Sequence, residues 1–297
     1  MKKVILIGLG AVGLTYAVKL SNECDLSILA DKERIERYTA QKPIFNGIEQ
    51  DFNYILPTDK FDADLILVTT KSQGLDSAIE YIRNFVGENT RIISLINGIS
   101  SEEKIKQAYP KAKVLKSYFI GHSAMRSGNS VTQDGIGEIV IEKDDFIKEF
   151  FTHTNIDFSM PKDIDYSIWL KYTFNLFCNP ASAILNMTFG ELKNNTAFIN
   201  FAKNVISEVK IIAEKKGIKN LENLENDAIK SLEKMCNDGK TSMLQDILQK
   251  RQTEIDIFSG EIIKLGKKYK VKTLYNQVLY DLIKIKEEAN EHSIYTG

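Results

Sequence analysis

The run KVILIGLGAVG, residues 3–13, constrains this chain more than any other stretch. A short aliphatic segment ends at Gly8, and Gly8, Gly10 and Gly13 follow at the spacing G-x-G-x-x-G as a helix-compatible run, GLTYAVKL, begins. A strand entering a helix through such glycines points to a dinucleotide-binding fold. The first glycine permits a tight turn, the second lets a pyrophosphate approach the backbone, and the third lets helix and strand pack closely. The turn Gly8, Leu9, Gly10, Ala11, Val12 and Gly13 would offer free amides and the positive end of a helix dipole to phosphates. The same letters occur in ordinary glycine-rich turns. Their place after a strand and at the head of a helix gives them weight here.

The next segments keep the alternation going. DLSILA reads as a second strand, ADLILVTT and TRIISLI as strands covered on both faces, and GLDSAIEYIRNFV between them as a helix. Strands alternating with helices predict an α/β fold with a parallel, doubly wound sheet. KVLKSYFIG and GEIVIE are later strand candidates, read as antiparallel. After SMPKDID the texture changes to long helical spacings. One is Phe201, Val205, Val209 and Ile212 before Gly217, and another runs through Leu244, Ile247, Leu248, Ile255, Phe258 and Ile262. The boundary is therefore set at 163/164, with residues 1–163 forming the dinucleotide-binding domain and residues 164–297 a helical substrate and catalytic domain.

A chain of 297 residues fits two domains, and 43% hydrophobic with 27% charged residues fits a globular protein. A formal net charge of −1 gives no electrostatic footprint for nucleic acid or anionic membrane. No apolar run approaches the roughly 20 residues of a membrane span, and the MKKVILIG start is too short for a signal peptide. Cys24, Cys178 and Cys236 are scattered without disulfide or metal-ligand spacing, and His122, His153 and His292 do not pair as ligands. The expectation is a cytoplasmic protein with no metal.

Several polar residues stand out. Asp31 ends the second strand, where a carboxylate can accept from an adenosine ribose 2′-hydroxyl and repel a 2′-phosphate, or simply close a turn. Lys32 and Arg34 follow and can pair with a phosphate. Lys71 and Asn97 lie at strand ends, where ligands bind in such sheets. A common Asn-Gly turn accounts for Asn97 equally well, and a lysine in the place of Lys71 is ordinarily just solvated. Ser100 with Glu103, and Ser242 with Gln245, match capping boxes. Glu254 falls on an apolar-rich run read as helix, where an acidic residue is ordinarily just exposed. In WLKYTFNLFCNP, residues 169–180, the polar Lys171, Asn175 and Asn179 recur every fourth position. On a helix they form one line, drifting by roughly 40° per step. That line faces either solvent or a cleft.

In order, G-x-G-x-x-G, Lys71, the Asn97-Gly98 pair, W-x-K-x-x-x-N-x-x-x-N, SMLQD and TEID resemble the ketopantoate reductase (2-dehydropantoate 2-reductase) family over essentially the whole chain. The glycine motif is shared with many dehydrogenases; the lysine–asparagine helix and the SMLQD…TEID pair are far more specific. The resemblance implies an N-terminal Rossmann-like dinucleotide-binding domain, an all-helical C-terminal domain like that of 6-phosphogluconate dehydrogenase, and a substrate cleft between them. It implies NADPH-dependent reduction of 2-dehydropantoate to pantoate, on the way to pantothenate and coenzyme A. Lys171 matches the catalytic lysine. Asn97, Asn175, Asn179 and Ser242 match substrate contacts, and Glu254, placed with Lys171 among the catalytic residues, matches a glutamate needed for cofactor or substrate contact. The glycine turn, Lys71, Asn97 and Ala124 match the cofactor side, with Asp31 and Lys32 at the adenosine end. Many members carry arginine where Asp31 stands, so this chain departs from the NADP pattern and NAD becomes an alternative. The partner is a small 2-oxo acid, and the protein is expected as a monomer or homodimer. A reductase of another 2-oxo acid and a non-catalytic dinucleotide sensor are the competing readings.

Overall fold

The computed structural model describes residues 1–121, 124–133, 135 and 137–295. It separates into two compact units, Met1–Ile164 and Asp165–Gly297.

The first unit contains β1 (Lys3–Ile7), α1 (Ala11–Leu20), β2 (Asp25–Leu29), α2 (Lys32–Ala40), β3 (Ile44–Phe45), β4 (Ile48–Glu49), β5 (Asn53–Ile55), β6 (Leu65–Val68), α3 (Leu75–Tyr81), β7 (Arg91–Ser94), α4 (Ser101–Ala108) and β8 (Lys113–Leu115). Six strands form a parallel sheet in the order β5-β2-β1-β6-β7-β8. Strand alternation divides its side chains. Val4, Leu6, Leu65, Leu67 and Ile93 enter one core with Leu14, Tyr16 and Leu20 of α1. Ile5, Ile7, Ile66, Val68 and Ile92 enter the other with Leu75 and Ala78 of α3 and Ile105 of α4. Burial on both faces explains why these strands read as unbroken apolar runs. The chain leaves β1 toward β2 and β5 on one side and returns to β6, β7 and β8 on the other. The end of β1 is therefore the switch point of the sheet.

The rest of this unit is β9 (Ser117–Ile120), β10 (Ala124–Ser127), β11 (Ser130–Gln133), β12 (Glu138–Ile141), α5 (Asp145–His153) and β13 (Phe158–Ser159). The segment KVLKSYFIG, expected as one strand, is two. β8 closes the parallel sheet, whereas β9 pairs antiparallel with β12 in a second sheet. Lys116 between them donates its amide to Glu142 Oε1 at 2.7 Å, so the chain changes sheets there. The two-residue strands β3 and β4 join the β10–β11 hairpin in a third sheet.

The second unit is helical: α6 (Ile164–Leu185), α7 (Phe189–Lys193), α8 (Thr196–Lys216), α9 (Leu224–Glu233), α10 (Ser242–Leu248), α11 (Glu261–Tyr269) and α12 (Leu274–Tyr295), with a π-helical turn at Asp256–Gly260. α8 stops at Gly217, whose φ of 89° closes the helix as a glycine C-cap should. The expected continuous run from Leu244 to Ile262 is broken. Lys250 adopts a left-handed φ of 51°, and Arg251 turns back to Asp246 through its amide and a 2.7 Å ion pair. Leu248 is left 51% exposed at the break. Helical spacing thus continues across a chain reversal. No helix among the described residues is long and apolar enough to cross a membrane.

Candidate active site

Each glycine of the first turn has its own geometry. Gly8 has φ +106°, and a Cβ there would lie 2.7 Å from the Thr70 nitrogen. A Cβ on Gly13 would lie 1.8 Å from the Gly8 oxygen, so helix and turn meet backbone to backbone. Beside Gly10 there is nothing within 4 Å. Thr69 Oγ1 donates to Gly8 O at 2.7 Å and pins the turn to the end of β6. Arg126 Nη1 donates to Leu9 O at 3.2 Å and Nε to Gly128 O at 2.9 Å, tying the turn to the β10–β11 hairpin. Gly10 caps α1 with no side chain, and the first turn carries no acidic residue. Space beside Gly10, uncapped amides and no competing carboxylate fit a pyrophosphate.

Three of the other residues expected on the cofactor side stand at neighbouring strand ends. Asp31 follows β2, Lys71 follows β6 and Asn97 follows β7, all at the carboxyl edge of the parallel sheet. Lys71 is exposed at the head of a 3₁₀ turn, Ser72–Gly74; Asn97 is half-buried; Ala124 opens β10, half-buried against the core. Asp31 is the N-cap of α2. Its Oδ1 accepts from the Arg34 amide at 2.8 Å, and its Oδ2 accepts from Arg34 Nη1 at 3.0 Å and from the Tyr81 hydroxyl at 3.5 Å. Lys32 is exposed, 3.9 Å from Glu36.

In the second unit Lys171, Asn175 and Asn179 all lie on α6, which continues through Pro180. The line is not a fully solvated face. Lys171 and Asn175 are half-buried and Asn179 is only 5% exposed. The next residue, Tyr172, reaches from α6 to the π-helical turn, donating to Phe258 O at 2.8 Å and Ile257 O at 3.2 Å. Burial, reinforced by the charge of Glu261, holds the Tyr172 hydroxyl well above its usual pKa, so it remains a donor. This bond lays the helix carrying Lys171 beside the segment carrying Glu254.

Glu254 is not on a helix, as its apolar neighbours imply, but on the bend that precedes the π-helical turn, half-buried between the buried Thr253 and Ile255. The reversal at Lys250 puts it there. Ser242 is not the cap of α10. Thr241 is, accepting from the Leu244 amide at 3.1 Å, while Gln245 donates to Lys240 O. The exposed Ser242 is thereby released from a capping role. Ser100 precedes α4 but makes no side-chain cap, and the adjacent Ser101 is engaged with Ser94 instead. His122 lies outside the described residues. Among the described residues no cluster of His, Cys, Asp or Glu is arranged to hold a metal. Sequence reading passes over Thr69, Arg126 and Tyr172. Only Tyr172, adjacent to Lys171, carries a local hint.

Comparison with known proteins covers both units. Residues 4–145 match the family model described as Ketopantoate reductase PanE/ApbA, and residues 163–287 match Ketopantoate reductase PanE/ApbA C terminal. The 2-dehydropantoate 2-reductase of Pyrococcus horikoshii is 29% identical over 300 residues, spanning 96% of this chain and 97% of its own. That of Aquifex aeolicus is 26% identical over 309 residues, spanning 97% and 98%. Among solved structures, D-mandelate dehydrogenase in a ternary structure with NADH and anilino(oxo)acetate shares the fold, with a TM-score of 0.82 at 23% identity over 97% of this chain and 99% of that one.

Proposed function

Because this chain belongs to the ketopantoate reductase family, we propose that it reduces 2-dehydropantoate to pantoate, a step toward pantothenate and coenzyme A. The observation that carries the reading is the pairing of two features along one chain. A glycine turn with open space at Gly10 lies at the switch point of a parallel sheet, and a partly buried Lys171–Asn175–Asn179 line lies on a helix bonded to the Glu254 segment.

The nicotinamide supplies the hydride to the ketone carbon when bound. The chain supplies the rest. As the carbonyl oxygen gains negative charge, the Lys171 ammonium stabilises it and donates the proton that completes the hydroxyl; the lysine is then reprotonated from solvent. Asn175, Asn179, Asn97 and the Ser242 hydroxyl hold the carboxylate and hydroxyl of the substrate. Neutral amides can hold the carboxylate end of an anionic keto acid without repelling it. Glu254 contacts substrate or cofactor. The amides of the glycine turn hold the pyrophosphate, with Lys71 and Ala124 alongside.

NADPH is the proposed cofactor. Arg34, held against Asp31, offsets the carboxylate that would otherwise repel a 2′-phosphate, and the exposed Lys32 adds a second positive charge. NAD is the competing reading, supported by Asp31 itself and by NADH in the D-mandelate dehydrogenase of like fold. That enzyme also supports the second substrate reading, a different 2-oxo acid.

Steady-state oxidation of NADPH and NADH with 2-dehydropantoate and a set of alkyl and aryl 2-oxo acids tests these together. Highest kcat/KM for NADPH with 2-dehydropantoate is expected. A higher value for another 2-oxo acid replaces the substrate, and a strong NADH preference replaces the cofactor. Dinucleotide binding without turnover of any 2-oxo acid leaves a sensor.

A further inference from the structure

The segment carrying Glu254 has no regular structure between Leu248 and Asp256, yet its neighbours on both sides are tied down. The Thr253 amide donates to Glu287 Oε1 at 2.7 Å, and the Ile255 amide donates to Thr253 Oγ1 at 3.3 Å. Lys284 Nζ lies 3.1 Å from Glu287 Oε2 and 3.1 Å from Asp256 Oδ2, and the Tyr280 hydroxyl donates to Asp256 Oδ1 at 2.8 Å. The Glu287 side chain is only 10% exposed. A carboxylate so far out of water is costly unless paired and hydrogen-bonded, and here it has both an ammonium and a peptide N–H. Burial works against the charge on Lys284, but the bonds to Asp256 and Glu287 outweigh it and raise its pKa. Tyr172 completes the frame from the Lys171 helix, holding Ile257 O and Phe258 O. One face of α12 thus holds the backbone amide of Thr253, immediately before Glu254, and the side chain of Asp256, two residues after it.

We propose that Glu287 is a positioning residue. By accepting from the Thr253 amide and holding Lys284 against Asp256, it sets where the Glu254 carboxylate stands during the reaction. The inference rests on the reading that Glu254 contacts substrate or cofactor. The physical reason is the absence of local structure around Glu254. A side chain on a helix is aimed by its own backbone ladder, whereas the direction of one on an irregular bend depends on what holds the bend. Displacing a reacting group by about 1 Å can cost on the order of 10²-fold in rate.

A double-mutant cycle tests this, reading kcat/KM on the best 2-oxo acid substrate, with circular dichroism to confirm folding. Glu287→Ala should lose about 10–100-fold. Glu287→Gln, whose amide oxygen still accepts from Thr253, should recover most of that loss. Glu254→Gln should be impaired, and adding Glu287→Ala to it should cost less than about twofold more, because a residue that acts through Glu254 has nothing left to position. Losses that multiply in the double variant, or a folded Glu287→Ala enzyme with unchanged kcat/KM, would overturn the proposal while leaving Glu254 in place. If Glu254→Gln alone is fully active, the role of Glu254 fails and the proposal falls with it. Should Glu287→Ala not fold, Glu287→Asp, which withdraws the acceptor by one methylene, enters the same cycle with the same expectations.

Discussion

The glycine turn and the Glu254 bend are both irregular backbone beside proposed ligand contacts, but they are held differently. At the head of α1 the shape comes chiefly from residues within the turn: the positive φ of Gly8 and the missing Cβ of Gly13, with Thr69 from the next strand closing it. Around Glu254 the bend is held by side chains far away in sequence, Glu287 and Lys284 on α12 and Tyr172 on α6. A turn specified by its own residues is readable as a motif and intolerant of change at those residues. A bend specified from outside is not readable as a turn from its own residues, and it can fail through substitutions that touch no ligand. The two regions also divide the proposed work, with cofactor grip in the first unit and proton transfer in the second.

Lys171→Ala gives the largest expected effect and tests that division directly. Removing the ammonium removes both the proton and the charge facing the developing alkoxide, a loss on the order of 10²–10⁴-fold in turnover. Dinucleotide affinity, measured by fluorescence titration, should change little, because the glycine turn belongs to the other compact unit. Lys171→Arg should also be poor, since guanidinium keeps its charge but does not readily release its proton. Asn175→Ala and Asn179→Ala should act mainly on KM for the keto acid. A folded Lys171→Ala enzyme with near-normal turnover would remove the mechanism.

The glycines offer a sharper contrast within one turn. Gly13→Ala places a methyl group 1.8 Å from a carbonyl oxygen, and the backbone must give way. A destabilisation of about 1–3 kcal/mol is expected, with loss of dinucleotide binding. Gly10→Ala meets nothing within 4 Å in the protein. Its thermal or denaturant melt should match the parent, while dinucleotide affinity falls by about tenfold or more, a difference of about 1.4 kcal/mol or greater. Equal melts and equal affinities for Gly10→Ala would show that the open space is not where phosphates approach.

The same contrast explains what could be read in advance. The parallel strands were legible because burial on both faces leaves continuous apolar runs, and α8 was legible because Gly217 ends a regular apolar spacing. The line Lys171, Asn175, Asn179 was legible as a line, since α6 is an ordinary helix there. The break at Lys250 was not, because Leu248 and Ile255 keep helical spacing across a reversal held by the Arg251–Asp246 pair. The cap of α10 was misplaced by one residue because Thr241 and Ser242 are both good caps, and only the backbone distinguishes them. The split of KVLKSYFIG depends on partners, β7 on one side and β12 on the other, that no local pattern names. Glu287 had no signal at all. Its contact with Thr253 exists only where α12 meets the bend.

Asp31 joins the two kinds of specification in one residue. As the N-cap of α2 its work is local, and as a neighbour of the proposed adenosine site its charge acts on a ligand. Two substitutions separate these. Asn caps helices about as well as Asp, so Asp31→Asn should keep the bond from the Arg34 amide and leave stability nearly unchanged. It removes the charge that Arg34 now partly offsets, freeing the guanidinium for a 2′-phosphate. Asp31→Ala removes charge and cap together, so it should shift cofactor preference in the same direction and also cost about 1 kcal/mol. The ratio of kcat/KM for NADPH over NADH should therefore rise in both variants, and the denaturation midpoint should fall in only one. If the ratio stays put in both while Asp31→Ala still loses stability, Asp31 is a helix cap and nothing more. Cofactor choice would then lie with Lys32, Arg34 or residues outside this turn. If instead Asp31→Asn loses stability as Ala does, the ion pair with Arg34 and not the cap bond is what holds the start of α2.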